Sequence, residues 1–402
     1  MIYIEYLGID ISKKDSVIAH YSEKKFVKEF TMQNNQNGFN HLLKYLKQFH
    51  DMCLIFESTG IYSRAMAKFG KTNHINFVEI NPLEAKFKTS SLRSWKTDKS
   101  DAHKLALLAP SLSKKSTKQS DSSIYFELRE RARFHLESEN NQNRLKIELI
   151  EVLHQTFPGL ENLFKNRYSI IAINIAERFS HPDFVVQKDP HTLTLDILNS
   201  TNKSMSLEKA EKYSTLLFQL ANESYPNVEA ESFLVQKVQI ITQQLKFSIQ
   251  QIAKLDNEMV DLARELNCFQ NIISIPGIGE LTAAMIIGEL GDISNFHSHK
   301  QLNAFVGIDI KRYQSGLTHY RDTINKRGNK KARRLLFWVI CNILRGQHRF
   351  KNHIVDYYYK LRKQPNEKSH KTAIVACMNR LLKTIHYLVT NNKLYDYQMS
   401  PH

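Results

Sequence analysis

Four acidic residues stand where a carboxylate is hard to explain as packing. Asp10 closes the apolar run that begins at Tyr3 and passes through Leu7-Gly8-Ile9, and Glu57 closes Met52-Cys53-Leu54-Ile55-Phe56. An ionised carboxylate at the end of a sheet needs water, a cation or a hydrogen-bond donor. Asp98 and Asp101 lie three apart at a helix start, so they share a face. If the four converge, they suit a divalent ion, Mg²⁺ or Mn²⁺, with waters and substrate phosphates completing its shell. Two such ions activate an attacking oxygen and stabilise a leaving one. Each residue also has a plainer reading. Asp98 and Asp101 fit an N-cap and a first-turn acid, and Glu57, before Ser58-Thr59-Gly60, fits a cap for the next helix.

The C-terminal part offers phosphate-binding features and one serine. Ile275-Pro276-Gly277-Ile278-Gly279 precedes an apolar helix, and a Gly-x-Gly turn at a helix N-terminus exposes backbone N–H groups to a phosphate. The pattern resembles the helix-hairpin-helix that grips DNA backbones, or else is an ordinary tight turn. Asn325-Lys326-Arg327-Gly328-Asn329-Lys330-Lys331-Ala332-Arg333-Arg334 sets Gly, Asn and six cations beside a helix start, which reads as a phosphate clamp. Ser315, in Gln314-Ser315-Gly316, has no visible general base, and taken alone it is a turn residue.

The elements that must position these groups follow from hydrophobic spacing. Residues 3–10, 16–21 and 25–32 read as a three-stranded meander. A helix starting at Asn37 or Gly38 follows, then a buried strand at 52–57, a helix at 61–70 and a strand at 75–80. Asn81-Pro82 is a helix start, and Asp98 opens a helix through Ala109. The order βββαβαβα is that of ribonuclease-H-like domains. Residues 110–123 read as a Ser/Lys-rich linker. A long helix over 124–157 ends at Pro158-Gly159. Residues 160–230 are mostly helical by pattern and suggest no function. From Leu234 to Leu266 apolar residues recur every three or four positions, the seam of a coiled-coil arm. Its partner is either helix 124–157 or another subunit.

The chain has 402 residues and a formal net charge of +16. Residues 311–380 hold 18 Lys+Arg against three acids, nearly the whole surplus, which points to nucleic acid as the partner. No apolar run approaches a membrane span, and Met1-Ile2-Tyr3-Ile4-Glu5 lacks the basic n-region of a signal peptide, so a reducing cytoplasm is expected. Composition excludes a disordered or collagen-like chain. The cysteines at 53, 268, 341 and 377 form no CxxC pair, which argues against a disulfide framework or a zinc site.

Together, Gly8-Ile9-Asp10-Ile11-Ser12-Lys13, Glu57-Ser58-Thr59-Gly60 and Lys96-Thr97-Asp98-Lys99-Ser100-Asp101-Ala102 resemble the Asp-Glu-Asp-Asp (DEDD) domain of the "IS-one-ten" insertion-sequence transposases. Pro276-Gly277-Ile278-Gly279, Phe305-Val306-Gly307, Gln314-Ser315-Gly316 and the Lys-Arg-Gly-Asn stretch resemble that family's C-terminal domain. The resemblance spans about 1–110 and 270–345. It implies a RuvC-like (ribonuclease-H-like) domain at 1–110, a linker at 111–123, a coiled-coil region at 124–266 and a helical transposase domain at 267–402. It further implies a recombinase guided by a structured non-coding bridge RNA, joining donor and target DNA in a tetramer, in the cytoplasm of a bacterium or archaeon at the nucleoid. The metal-binding acids fall on Asp10, Glu57, Asp98 and Asp101. The catalytic serine falls on Ser315, forming a phosphoserine intermediate, with Mg²⁺ in place of a histidine base. Position 309 is Asp where the family commonly has Pro, a change expected to affect only the local turn. Two other functions fit the residues: a metal-dependent junction resolvase using water as nucleophile, and a non-catalytic nucleic-acid scaffold.

Overall fold

The computed structural model describes residues 5–58, 60–80, 98–112, 122–201, 204–311, 314–315, 318–319, 323–365 and 367–398. The chain divides into two compact units, Met1–Asp121 and Ser122–His402.

The first unit runs β1 (Glu5–Ile11), β2 (Asp15–Ser22), β3 (Lys25–Gln33), α1 (Gln36–Leu46), β4 (Met52–Glu57), α2 (Ser63–Thr72), β5 (Asn76–Ile80) and α3 (Asp98–Leu112). The sheet order is β3-β2-β1-β4-β5, antiparallel across β1, β2 and β3 and parallel from β1 through β4 to β5. This is the mixed α/β order read from the sequence. Strand residues alternate between faces. Leu7, Ile9, Leu54 and Phe56 pack with Leu42, Leu46 and Met66 of α1 and α2. On the other face Tyr6, Cys53, Ile55, Val78 and Ile80 meet Leu105 of α3. Helix α1 begins earlier than expected because Asn35 is the cap, its side chain accepting from Gly38 N at 3.0 Å. Helix α3 runs through Pro110 to Leu112, past the expected stop at Ala109. The helix start at Asn81-Pro82, the segment 86–97 and most of the linker lie outside the described residues.

The second unit is helical. Two long helices, α4 (Ser122–Thr156) and α9 (Phe233–Arg264), pack against each other, so the seam's partner within the chain is α4. Between them in sequence come α5 (Ile170–Arg178), α6 (Asp183–Val186), α7 (Pro190–Leu198) and α8 (Leu207–Glu223). At one end of the pair Leu149, Val152 and Leu153 join Val238, Ile241 and Leu245 in a core completed by Phe157 and Phe179. At the other, Leu128 and Ala132 join Met259 and Ala263 in the C-terminal core. That core is built on α10 (Cys268–Ile273), α11 (Glu280–Leu290), α12 (His299–Val306), α13 (Lys330–Arg345), α14 (His353–Arg362) and α15 (His370–Thr390). Midway, Ile249, Ile252 and Leu255 of the seam are only half-buried, because a single partner helix cannot cover them. No helix among the described residues is long and apolar enough to cross a membrane.

Candidate active site and nucleic-acid surface

The register of β1 and β4 sets the first two acids side by side. Ile9 pairs with Phe56. One residue further on, Asp10 and Glu57 occupy neighbouring parallel strands, about 4.8 Å apart in the pairing direction. Alternation puts both on the face of Gly8 and Ile55, the face α3 covers. A glycine in β1 permits that cover. A Cβ on Gly8 would stand 2.1 Å from the Ala102 carbonyl oxygen and 2.4 Å from the Ala106 nitrogen. Asp101 immediately precedes Ala102, so the third acidic motif meets the sheet two residues from Asp10. Asp101 Oδ1 accepts from Lys104 Nζ at 2.7 Å. The side chains of Asp98, Lys99 and Ser100 lie outside the described residues.

Among the described residues no three His, Cys, Asp or Glu form a group spaced to hold a metal. The donor chemistry nonetheless fits a hard cation. Two adjacent carboxylates offer oxygen ligands, and Asp101 would exchange its ammonium partner for the ion. Burial pushes the Cys53 thiol up to about 12, Cys268 to about 11 and Cys377 to about 12.

Ser315 sits in a hairpin of very short strands: β6 (Ile310–Lys311) pairs with β9 (Thr323–Ile324), and β7 (Gln314–Ser315) with β8 (Thr318–His319). Ser315 pairs with Thr318 and Gln314 with His319, so two residues separate the serine from its partner. The side chains of residues 312–320 lie outside the described residues. The hairpin is closed at its base by Asp309 and Asn325. Asn325 N donates to Asp309 O at 2.9 Å, and Asn325 Nδ2 to Asp309 Oδ2 at 3.1 Å.

The basic stretch divides into struts and free cations. Asn329 Oδ1 accepts from Lys331 N and Ala332 N at 3.0 and 3.1 Å, capping α13. Its Nδ2 donates to buried Glu289 at 2.7 Å, which also accepts from Arg133 Nε at 3.1 Å. Arg333 Nη1 donates to the Val306 carbonyl at 2.7 Å. A Cβ on Gly328 would meet Phe305 O at 2.2 Å. Asn329, Arg333 and Gly328 therefore also build the surface from within. Lys326, Arg327, Lys330, Lys331 and Arg334 are exposed on it.

The glycine turn links α10 to α11. Gly277 has φ +93°, and a Cβ there would press on Ile343 and Phe350; Gly279 is the N-cap of α11, with nothing within 4 Å of a Cβ. Sequence reading passed over Glu280, in the first turn of α11. Arg264 Nη2 donates to both its carboxylate oxygens, at 2.8 and 3.0 Å. This carboxylate repels a phosphate at the N-terminus that the glycines open. Glu280→Gln should therefore tighten binding to non-specific duplex DNA by about two- to fivefold, the size of one charge at a helix end. Unchanged affinity in a fluorescence-anisotropy titration would rule out this turn as a phosphate site.

Residues 7–158 match the family model for DEDD transposases of IS110, and residues 269–355 the model described as transposase of the IS116/IS110/IS902 family. Over nearly the whole length the chain is similar to the pilin gene-inverting proteins of Moraxella bovis (24% identical) and Moraxella lacunata (23%), covering 97% of each chain in both cases. A transposase for insertion sequence element IS1111A of Coxiella burnetii is 31% identical over 36% of this chain and 39% of its own.

Proposed function

The chain belongs to the IS110 family of insertion-sequence transposases, enzymes that cut and transfer DNA strands, and we propose that it is an RNA-guided recombinase acting through an ester between Ser315 and a DNA phosphate. The observation that carries this reading is the face shared by Asp10 and Glu57, closed by α3 at Gly8. Asp10, Glu57, Asp98 and Asp101 would hold Mg²⁺ or Mn²⁺. Such an ion neutralises phosphate charge and lowers the pKa of a hydroxyl, which suits a serine for which the sequence shows no general base. Ser315 Oγ forms a bond to phosphorus as one strand's P–O bond breaks. The serine gives up its proton, and the leaving oxygen gains one. A hydroxyl end of a second strand then reverses the step and frees the serine. The pilin gene-inverting relatives support this reading, because inversion requires strands to be rejoined as well as cut.

Lys326, Arg327, Lys330, Lys331 and Arg334 would track phosphates without reading bases, together with a helix-hairpin-helix grip at Gly277 and Gly279. Sequence choice would fall to pairing with a structured guide RNA. The α4–α9 pair would serve as a coiled-coil arm in a tetramer holding donor and target DNA. A second reading is a resolvase that uses the same four acids, all in the first unit, with water as nucleophile.

The guided reading is tested by sequencing nucleic acid that copurifies with the protein expressed beside its native flanking DNA. One discrete structured RNA from the flank is expected. A heterogeneous mixture with nothing enriched from the flank would refute guidance and make four-way junctions the next substrate.

A further inference from the structure

Helix α3 carries two of the four acids, and its apolar contacts with the sheet set how closely it lies on β1. Ala102 and Ala106 lie on Gly8, and Leu105 enters the cluster of Tyr6, Ile55 and Val78. Directional contacts are added by a residue outside the acidic motifs. His103 Nδ1 lies 2.8 Å from the Tyr21 hydroxyl, and His103 Nε2 lies 2.8 Å from Glu29 Oε2. Tyr21 belongs to β2 and Glu29 to β3, so one imidazole is tied to two strands. Tyr21 pairs with Tyr6, and Glu29 with Ala19, which itself pairs with Gly8. Both partners are therefore on the face of Asp10 and Glu57. A carboxylate can only accept, so Nε2 donates to Glu29. Phe26 packs its ring 5.3 Å from the imidazole.

We infer that His103, held by Tyr21 and Glu29, is a positioning residue that fixes the rotation of α3 and so sets Asp98 and Asp101 over Asp10 and Glu57. The inference rests on the metal reading above. It gives His103 the role of an outer-shell group, two residues from one proposed ligand and five from the other. Loss of such partners costs about 10–100-fold in metal affinity.

The test titrates Mn²⁺ into the full chain, counting free ion by electron paramagnetic resonance, and follows amide exchange across residues 98–112 in metal-free protein. His103→Ala should weaken Mn²⁺ binding by about tenfold and speed exchange in α3. Tyr21→Phe, which keeps the ring and loses one hydrogen bond, should shift both in the same direction by less. Saturating Mn²⁺ should restore much of the strand cutting lost in either variant. If both variants bind Mn²⁺ as the wild type does, the inference is overturned. If His103→Ala fails to fold, Tyr21→Phe decides on the same terms. A wild-type chain that binds Mn²⁺ no better than Asp10→Asn overturns the metal reading, and the inference with it, which separates the two failures.

Discussion

Ser315→Ala should abolish strand exchange, by at least about 10³-fold, while leaving DNA binding within about twofold of wild type. The reason is chemical: alanine has no oxygen with which to form the ester, and no other residue of the hairpin is proposed to substitute. The readout that matters is the adduct. Wild-type protein incubated with cleavable DNA and Mg²⁺, then denatured, should give a DNA species whose retarded mobility disappears on protease treatment. The variant should give none. Persistence of the adduct in Ser315→Ala would mean that another nucleophile forms it. Strand cutting by Ser315→Ala with no adduct in either protein would favour water and the resolvase reading. The position of Ser315 suits its proposed role. It is the last strand residue before a two-residue connection, paired with Thr318, in a hairpin whose base is tied by Asp309 and Asn325.

Much of the first unit was legible from its short apolar segments. The segment 3–10 and the unbroken apolar run of β4 predict strands, and an acid ending each predicts a polar spot at one sheet end. Gly8 was visible as part of a motif, but its physical role was not. A glycine inside a strand signals a close backbone approach, and only the fold shows that the approaching backbone is that of α3. The hairpin of Ser315 escaped strand assignment because two-residue strands are too short to show a period of two. In the basic stretch, composition suggested ten phosphate-binding positions with the glycine turn. Composition cannot distinguish a cation facing solvent from one spent on a carbonyl, as Arg333 is on Val306. Nor could it show that Asn329 is consumed by a helix cap and by Glu289, forty residues away in sequence. The pairing of α4 with α9 was open for a related reason. A heptad-like seam specifies a helical partner but not which chain supplies it.

Gly8→Ala should be strongly damaging although it touches no titratable group. The added methyl would stand 2.1 Å from the Ala102 carbonyl oxygen and 2.4 Å from the Ala106 nitrogen. Both are helix backbone atoms, so no rotamer change relieves the clash, and α3 must move outward by on the order of 1 Å. Overpacking of this kind costs about 1–3 kcal/mol of stability. The functional loss should be larger, about 10²-fold in strand cutting, because a displacement of that size would shift the proposed ligands Asp98 and Asp101 relative to Asp10 and Glu57. Thermal melting and a cutting assay on the same preparation distinguish the two effects: at a temperature where the variant is fully folded, cutting should still be lost. The third contact, with Ala106 Cβ at 2.9 Å, gives a sharper version of the test. The double variant Gly8→Ala/Ala106→Gly removes that side-chain contact and leaves both backbone contacts in place. It should remain as inactive as the single variant. Recovery of cutting in the double variant would show that α3 does not rest its backbone on Gly8, and that the four acids do not depend on that contact for their spacing.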